Sequence, residues 1–434
     1  MGIKDKLSNL KNNNAKFLAN TSWLIFDKVF HMILSLIIMS ITARYLGTSN
    51  YGLLNYGLSF VNIFTSVSKL GIDAILVNEL IKEKSDSNKL IGTTIALRLA
   101  SGFLSIILTG LFVAVLKPGD MVILAISLIQ GVSLLFVAFD TIDYYFQSML
   151  KSKYSAVAKS VSYVVVCIVR LILIILKANI IWFAAATVVD AAAIGAGLLI
   201  FYKKENGTGF HFSKETAKYL IKNASPFILA NMLVVVYTQM DRIMIGSLSN
   251  DSQVGLYSAA INIANMWVFI PISIIDSARP IIMRYRFDEN NEKYIRRYTQ
   301  LTSAVIWISI AAGIVFTLIP GLFIRILYGS DFMDAVPILM ILIWSRMFSL
   351  LGTTRSIWLI CEGLSKYVKW FVGIGACINV VLNFMWIPQY YAVGASVATL
   401  ITEIVGAVIL PLFFTKTRPI YKILKNSLIM NFKS

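Results

Sequence analysis

Charge is scarce in this 434-residue chain. Asp, Glu, Lys and Arg together make up 14% of it, against about 25% in a soluble domain. With 58% hydrophobic residues and a mean hydropathy of +0.76, a soluble globular protein is excluded and a polytopic membrane protein is what remains. Acidic residues are the scarcer sign, 22 against 39 basic, a net +17. That excess does not point to nucleic acid, because the basic residues sit in short clusters between apolar runs. Cysteine is rare too. Cys167, Cys361 and Cys377 fall in apolar segments without metal or redox spacing, which excludes a disulfide framework and predicts small buried hydrophobes. No GxxxxGK[ST] loop is present, so transport would not run on this chain's own ATP hydrolysis, and HExxH and GxSxG are missing as well. No cofactor, metal or enzymatic activity is expected.

What is present is a succession of apolar runs. A span needs about 20 mostly apolar residues, and twelve fit: 17–43, 52–77, 90–116, 121–147, 155–176, 179–201, 224–248, 254–283, 299–327, 332–360, 367–387 and 392–414. The apolar run after the basic N-terminus is too long for a signal-peptide core, so it reads as a retained first span. Lys6 stands where a myristoylation signal needs Ser or Thr. With a cytoplasmic N-terminus, the inside segments hold 26 Lys and Arg and the outside loops only Arg44, Lys117, Lys177 and Arg325. One missed span would invert everything after it, so the bias predicts both termini inside. The expected organisation is a cytoplasmic segment 1–16, a six-span lobe 17–202, an inter-lobe linker 203–223, a second six-span lobe 224–415 and a cytoplasmic tail 416–434. The linker carries His211, and after Phe210 a short amphipathic helix on the membrane is expected.

The halves read as repeats. A shift of 203 residues places Asn20 on Asn223, Ser22 on Ser225, Gly52-Leu53 on Gly255-Leu256, Asn62 on Asn265 and Asp73 on Asp276, nine identities in the 54 positions from Asn20. Six spans per half give both the same orientation, hence a pseudo-two-fold axis along the membrane normal.

Polar residues inside the spans are costly and mark function or pairing. In the second span Asn55, Ser59, Asn62, Ser66, Lys69 and Asp73 fall on one helical stripe. Its counterpart in the eighth keeps Ser258, Asn262, Asn265 and Asp276 but has Ile272 in place of the lysine. The first span carries Asp27, Lys28 and His31, with Asp27 and His31 four apart on one face. The fourth carries Gln130, Ser133, Asp140, Tyr144 and Gln147 on one stripe, with Asp143 beside it. Asp241 and Arg242 lie in the seventh span, Asp276 and Arg279 in the eighth, and Arg98, Arg170, Asp190, Arg346, Arg355 and Glu403 in others. Two readings stand side by side: a polar cavity, or structural ion pairs such as Lys69–Asp73 and Asp276–Arg279. For Arg98 and Arg355, near the cytoplasmic face, snorkelling is the plain alternative to a place in the cavity.

Four stretches resemble Wzx-type oligosaccharide-lipid flippases of the MOP exporter superfamily: ARYLGTSNYGLLNYGLSFVNIF followed by LGID, DYYFQSMLKSKYSA, the run from Met240 to Pro280, and YGSDFMDAVPILMIL. The resemblance implies an all-α fold of twelve helices in two six-helix lobes forming a V, in a bacterial cytoplasmic membrane. It implies movement of an undecaprenyl-pyrophosphate-linked oligosaccharide from inner to outer leaflet by alternating access, for surface polysaccharide biosynthesis, with a polysaccharide polymerase as further partner.

On this reading Lys28, Lys69, Arg98, Arg242, Arg279 and Arg346 attract pyrophosphate, Arg by bidentate contact and Lys as a point charge. Asn62, Asn265 and Gln147 meet sugar hydroxyls. Asp27, His31, Asp73, Asp140 and Asp276 are candidates for coupling to H⁺ or Na⁺. The alternative is a MATE-like, cation-coupled multidrug antiporter, against which the intramembrane cations argue. Lipid II flippases usually have two further spans, and a membrane glycosyltransferase would need a large outside loop.

Overall fold

The computed structural model describes residues 3–82, 87–206 and 209–430, and the side chains of all of these but 3–21, 24, 25, 74, 206 and 230. The side chains of Lys4, Lys6, Lys11, Lys16 and Asn20, and residues Lys84, Gly207, Thr208 and Lys433, lie outside that set. The described residues are helices joined by short turns, with no strand among them.

Two compact units result, residues 1–46 with 53–239, and residues 47–52 with 240–434. The first holds α1 (Ile3–Lys69, interrupted by non-helical Gly47), α2 (Asp73–Lys82), α3 (Ser87–Leu116), α4 (Met121–Gly131), α5 (Ser133–Phe136), α6 (Asp140–Ser148), α7 (Ser152–Ile175), α8 (Ile180–Asn206) and most of α9 (Lys214–Leu248). The second holds α10 (Asp251–Met266), α11 (Phe269–Phe287), α12 (Asn291–Leu318), α13 (Pro320–Leu327), α14 (Val336–Cys361), α15 (Lys366–Ile404, interrupted at Tyr391), α16 (Leu410–Phe413) and α17 (Ile420–Leu428).

Short polar side chains start the helices. Asp120 accepts from the Val122 and Ile123 amides at the head of α4, Asn250 from Gln253 at α10, and Asn290 from Lys293 at α12, satisfying amides that have no partner within the helix. Buried hydroxyls turn back on their own helix, as Ser59 does to the Asn55 carbonyl and Thr94 to that of Leu90, both at 2.8 Å. In a medium without water this is how a Ser or Thr remains satisfied.

By length and composition, nine helices among the described residues suffice to cross a membrane, or ten if α10 and α11, bent by 46°, make one span. Twelve were expected. Two of the nine are 44 and 48 residues long, Phe26–Lys69 and Lys366–Phe413. Each is about twice the length of a crossing and contains the break at Gly47 or Tyr391. The short amphipathic helix expected after Phe210 is instead continuous with the next span, because α9 runs unbroken from Lys214.

The core of the first unit gathers Ile72 and Leu76, Leu90 and Ile91, Ile142 and Phe146, Leu198 and Tyr202, and Leu220. Large apolar side chains cover the outside, such as Phe103 at 62% exposure and Val115 at 77%. That inversion suits lipid as solvent, where close packing and polar contacts hold helices together. The cysteines are free as expected, but not buried: Cys377 is exposed and Cys167 and Cys361 are half-buried, because they lie on outer helix faces.

Candidate functional site

In the first unit the polar stripe of α1 is interrupted before its last member. The helix ends at Lys69, the chain turns through Leu70–Ile72, and Asp73 opens α2. Gly71 sits at φ 62°, where L side chains are strained, and a Cβ there would meet the Ile228 amide of α9 at 2.9 Å. The turn leaves Asp73 in the first turn of a helix, where the dipole favours an anion.

Around that turn a network of opposite charges assembles. Lys69 Nζ lies 3.9 Å from Asp73 and 3.6 Å from Asp140. Arg98 is fully buried. It pairs with Asp73, donates to Thr141 Oγ1 at 3.3 Å and lies 5.8 Å from the Tyr144 ring centre. Of the two readings of Arg98, snorkelling is set aside: a carboxylate, a hydroxyl and a ring hold it inside. The same holds for Arg355. It is buried, donates to the Gly406 carbonyl and sits over the Phe371 ring at 4.7 Å. Gly406 belongs to a π-helical turn, Val405–Ile409.

Asp140 reaches Lys69 because the fourth span is not one helix. A 3₁₀ stretch, Val137–Phe139, separates α5 from α6 and places Asp140 at the head of α6. Asp143 pairs with Lys159 of α7 at 2.7 Å. Lys159 was missed by sequence reasoning, although a lysine inside an apolar run was signal enough. Lys69, Arg98 and Lys159 thus face Asp73, Asp140 and Asp143, equal numbers of each sign.

Asp27 and His31 are not joined. Asp27 lies within electrostatic reach of Lys159, Asp143 and Lys28, and its Oδ1 is buried without a hydrogen-bond partner. The His31 ring packs on Tyr163 with centres 4.0 Å apart, and Lys28 is exposed. Beside the network lies a cavity of about 270 Å³, bounded by Asn62 and Thr65 of α1, Ser133 and Asp140, and Thr187 and Asp190 of α8. Asp190 accepts from Ser162 at 3.1 Å. Gln147 is half-buried near the end of α6.

The second unit treats its charges differently. Asp241 of α9 is buried. It accepts from Tyr257 and Thr399 at 2.6 Å each and from Asn383 at 2.8 Å. Asn383 also donates to Asn379 at 3.1 Å, while its own Oδ1 is buried with no partner. No cation lies within ion-pair distance of Asp241 among the described residues. Its neighbour Arg242 turns about 100° away on the helix and donates to Ser258 at 3.2 Å. Arg346 makes long contacts with neutral groups, 3.4 Å to Ser345 and 3.5 Å to Asn265. Asp276 and Arg279 pair at 3.5 Å and are both exposed. The Asn379–Asn383–Thr399 surround of Asp241 was missed; two Asn four apart in an apolar run were its only sequence signal.

Residues 17–286 match the polysaccharide biosynthesis protein family. The chain belongs to that family. Residues 226–385 also match the MatE family. A probable flippase, AglR, of Haloferax volcanii is 27% identical over 184 residues, 42% of this chain and 38% of that relative. The chain therefore aligns with well under half of the relative's length. Among solved structures, the lipid II flippase MurJ in an inward closed conformation is similar at a TM-score of 0.73 and 19% identity, covering 95% of this chain and 92% of that one. An inward-facing multidrug resistance MATE transporter of the MOP superfamily is similar at 0.68 and 12%, covering 93% and 99%. This polysaccharide biosynthesis family member thus has the all-α fold of MOP transporters, as its sequence led one to expect.

Proposed function

We propose that the chain is a flippase that moves an undecaprenyl-pyrophosphate-linked oligosaccharide from the inner to the outer leaflet of a bacterial cytoplasmic membrane, by alternating access and with both termini inside. Family membership and fold support a transporter of polysaccharide precursors, and the basic bias of one set of loops supports the orientation. The observation that carries the substrate reading is Arg346, an arginine within a span whose guanidinium meets, among the described residues, neutral oxygens at long distance. A planar fork of donors without a carboxylate partner suits bidentate binding of pyrophosphate. Lys69 and Arg98 already face carboxylates and are weaker choices. The long helices Phe26–Lys69 and Lys366–Phe413 are each two crossings on this reading, which brings the count to twelve.

Asp241 is the acid best suited to ion coupling. It is buried without a cation, and the spare oxygen of Asn383 lies on a donor to it. The membrane potential also helps. An anionic headgroup moving outward from a negative interior gains about 2.3 kcal/mol per charge per 100 mV.

The test is reconstitution. Liposomes with the purified protein are loaded with a lipid-pyrophosphate oligosaccharide, and the label reaching the opposite leaflet is measured with and without an imposed potential. Movement that responds to the potential and is lost in Arg346→Gln is expected. Efflux of a cationic dye without movement of the sugar lipid would favour the antiporter instead.

A further inference from the structure

A recess of about 580 Å³ lies in the second unit between the head of α12, the end of α14 and α17. That size accommodates a small ligand or a lipid headgroup. Its lining carries three cations, Arg286, Lys416 and Lys422, and one carboxylate, Glu362. Glu362 is already occupied, accepting from Arg286 at 3.2 Å and from Tyr294 at 3.1 Å. The two lysines are exposed, and the lining holds no acid for them. Arg286 Nε is buried without a partner. Arg286 is engaged by Glu362, by Asn291 at 3.2 Å and by the Tyr294 ring, so the charge left for an anion in the recess is that of the two lysines.

The rest of the wall is apolar, including Ile295, Trp358 and Ile423. A site for a fully hydrated ion would not need this. On α17, Lys422 and Asn426 line the recess, while Tyr421, Leu428, Ile429 and Met430 are 49–64% exposed around the helix and its end, with exposed Lys425 one turn from both Tyr421 and Leu428. The helix is held in place, because Ser427 donates to the Thr299 carbonyl of α12 at 3.3 Å and Thr417 to that of Pro411 at 2.6 Å. A short helix that carries both basic and exposed apolar side chains suits a membrane interface, and basic recesses between spans suit lipid phosphates.

We propose that this recess binds the phosphate of an anionic phospholipid, with Lys416 and Lys422 on the phosphate and the acyl chains along the exposed apolar residues Tyr421 and Leu428–Met430. Nothing in it depends on the transported substrate. In the orientation proposed above, the lipid belongs to the inner leaflet.

The full chain is purified in neutral detergent, and binding of phosphatidylglycerol, phosphatidylcholine and inorganic phosphate is titrated. Phosphatidylglycerol should bind in preference to phosphatidylcholine. Lys416→Gln with Lys422→Gln should weaken it by about thirtyfold, about fivefold per lysine, while Lys416→Arg with Lys422→Arg should bind like the unmodified protein. In the unmodified protein, a photoactivatable phosphatidylglycerol should label the segment 411–426. Equal affinity for inorganic phosphate and for the lipid would replace the lipid by a soluble phosphate and overturn the proposal. So would unchanged binding in the Gln variant, or labelling confined to other segments.

Discussion

The two units each hold a cluster of buried polar and charged groups, and the two clusters are built differently. In the first, three cations face carboxylates: Lys69 lies between Asp73 and Asp140, Arg98 is on Asp73, and Lys159 is on Asp143. In the second, Asp276 pairs with Arg279 and Glu362 with Arg286, but Asp241 and Arg346 have no ion-pair partner among the described residues. Asp241 is surrounded by Tyr257, Asn383 and Thr399, while Arg242 and Arg346 meet Ser and Asn side chains. Paired charges cancel and hold helices together, whereas a charge stabilised by neutral dipoles keeps its field and remains available to a ligand of opposite sign. On the proposed function, the first network is scaffold and the second carries the binding.

The largest effect should come from breaking a pair in the first unit. Asp73→Ala leaves Arg98 buried with its carboxylate gone. Removing one partner of a buried pair costs about 3–5 kcal/mol, and Lys69 loses a neighbour too. The melting temperature of the purified protein should fall sharply and little should accumulate in the membrane. Adding Arg98→Met should restore much of the loss, since the uncompensated charge is gone. A well-folded Asp73→Ala protein would break the scaffold assignment.

Part of this was legible beforehand. Helical spacing alone put Lys69 and Asp73 within reach of each other, and charge scarcity alone gave a membrane protein. The partners of Asp73 were not legible, because Arg98 lies on another helix, and neither was the turn through Gly71, which depends on the approach of α9. The surround of Asp241 was hidden for the same reason. Asn383 and Thr399 are 142 and 158 residues away, and Asn and Thr in a span are common enough to pass as packing. Sequence also left two readings open for Arg98 and Arg355, because closeness to a membrane surface says nothing of whether a partner waits inside.

In the second unit the corresponding changes should separate function from stability. Asp241→Asn keeps the size of the side chain but removes the charge that three donors serve, a cost of about 1–3 kcal/mol, smaller than that of Asp73→Ala. Transport driven by an ion gradient should disappear in liposomes from protein that is still folded. Arg346→Gln should do less to the melt, about 0.5 kcal/mol or under, because only long neutral contacts are lost, yet translocation should drop to background. Transport surviving in Arg346→Gln would erase the contrast between the units.

The smallest effect sharpens the comparison by removing burial while keeping the pairing. Lys151 lies between spans in the first unit and pairs with Glu205, which also accepts from Tyr154 at 2.7 Å. The hydrogen bond to Glu205 holds the Lys151 ammonium above its ordinary value. A raised value means that the stabilisation is fully present below the ordinary lysine value and is lost as pH rises through the folded one. Lys151→Ala should therefore cost about 1 kcal/mol or less. That difference should be constant across neutral pH, shrink only above about pH 10.4 and weaken with added salt. A cost matching that of Asp73→Ala would mean that pairing alone, without burial, explains the first unit.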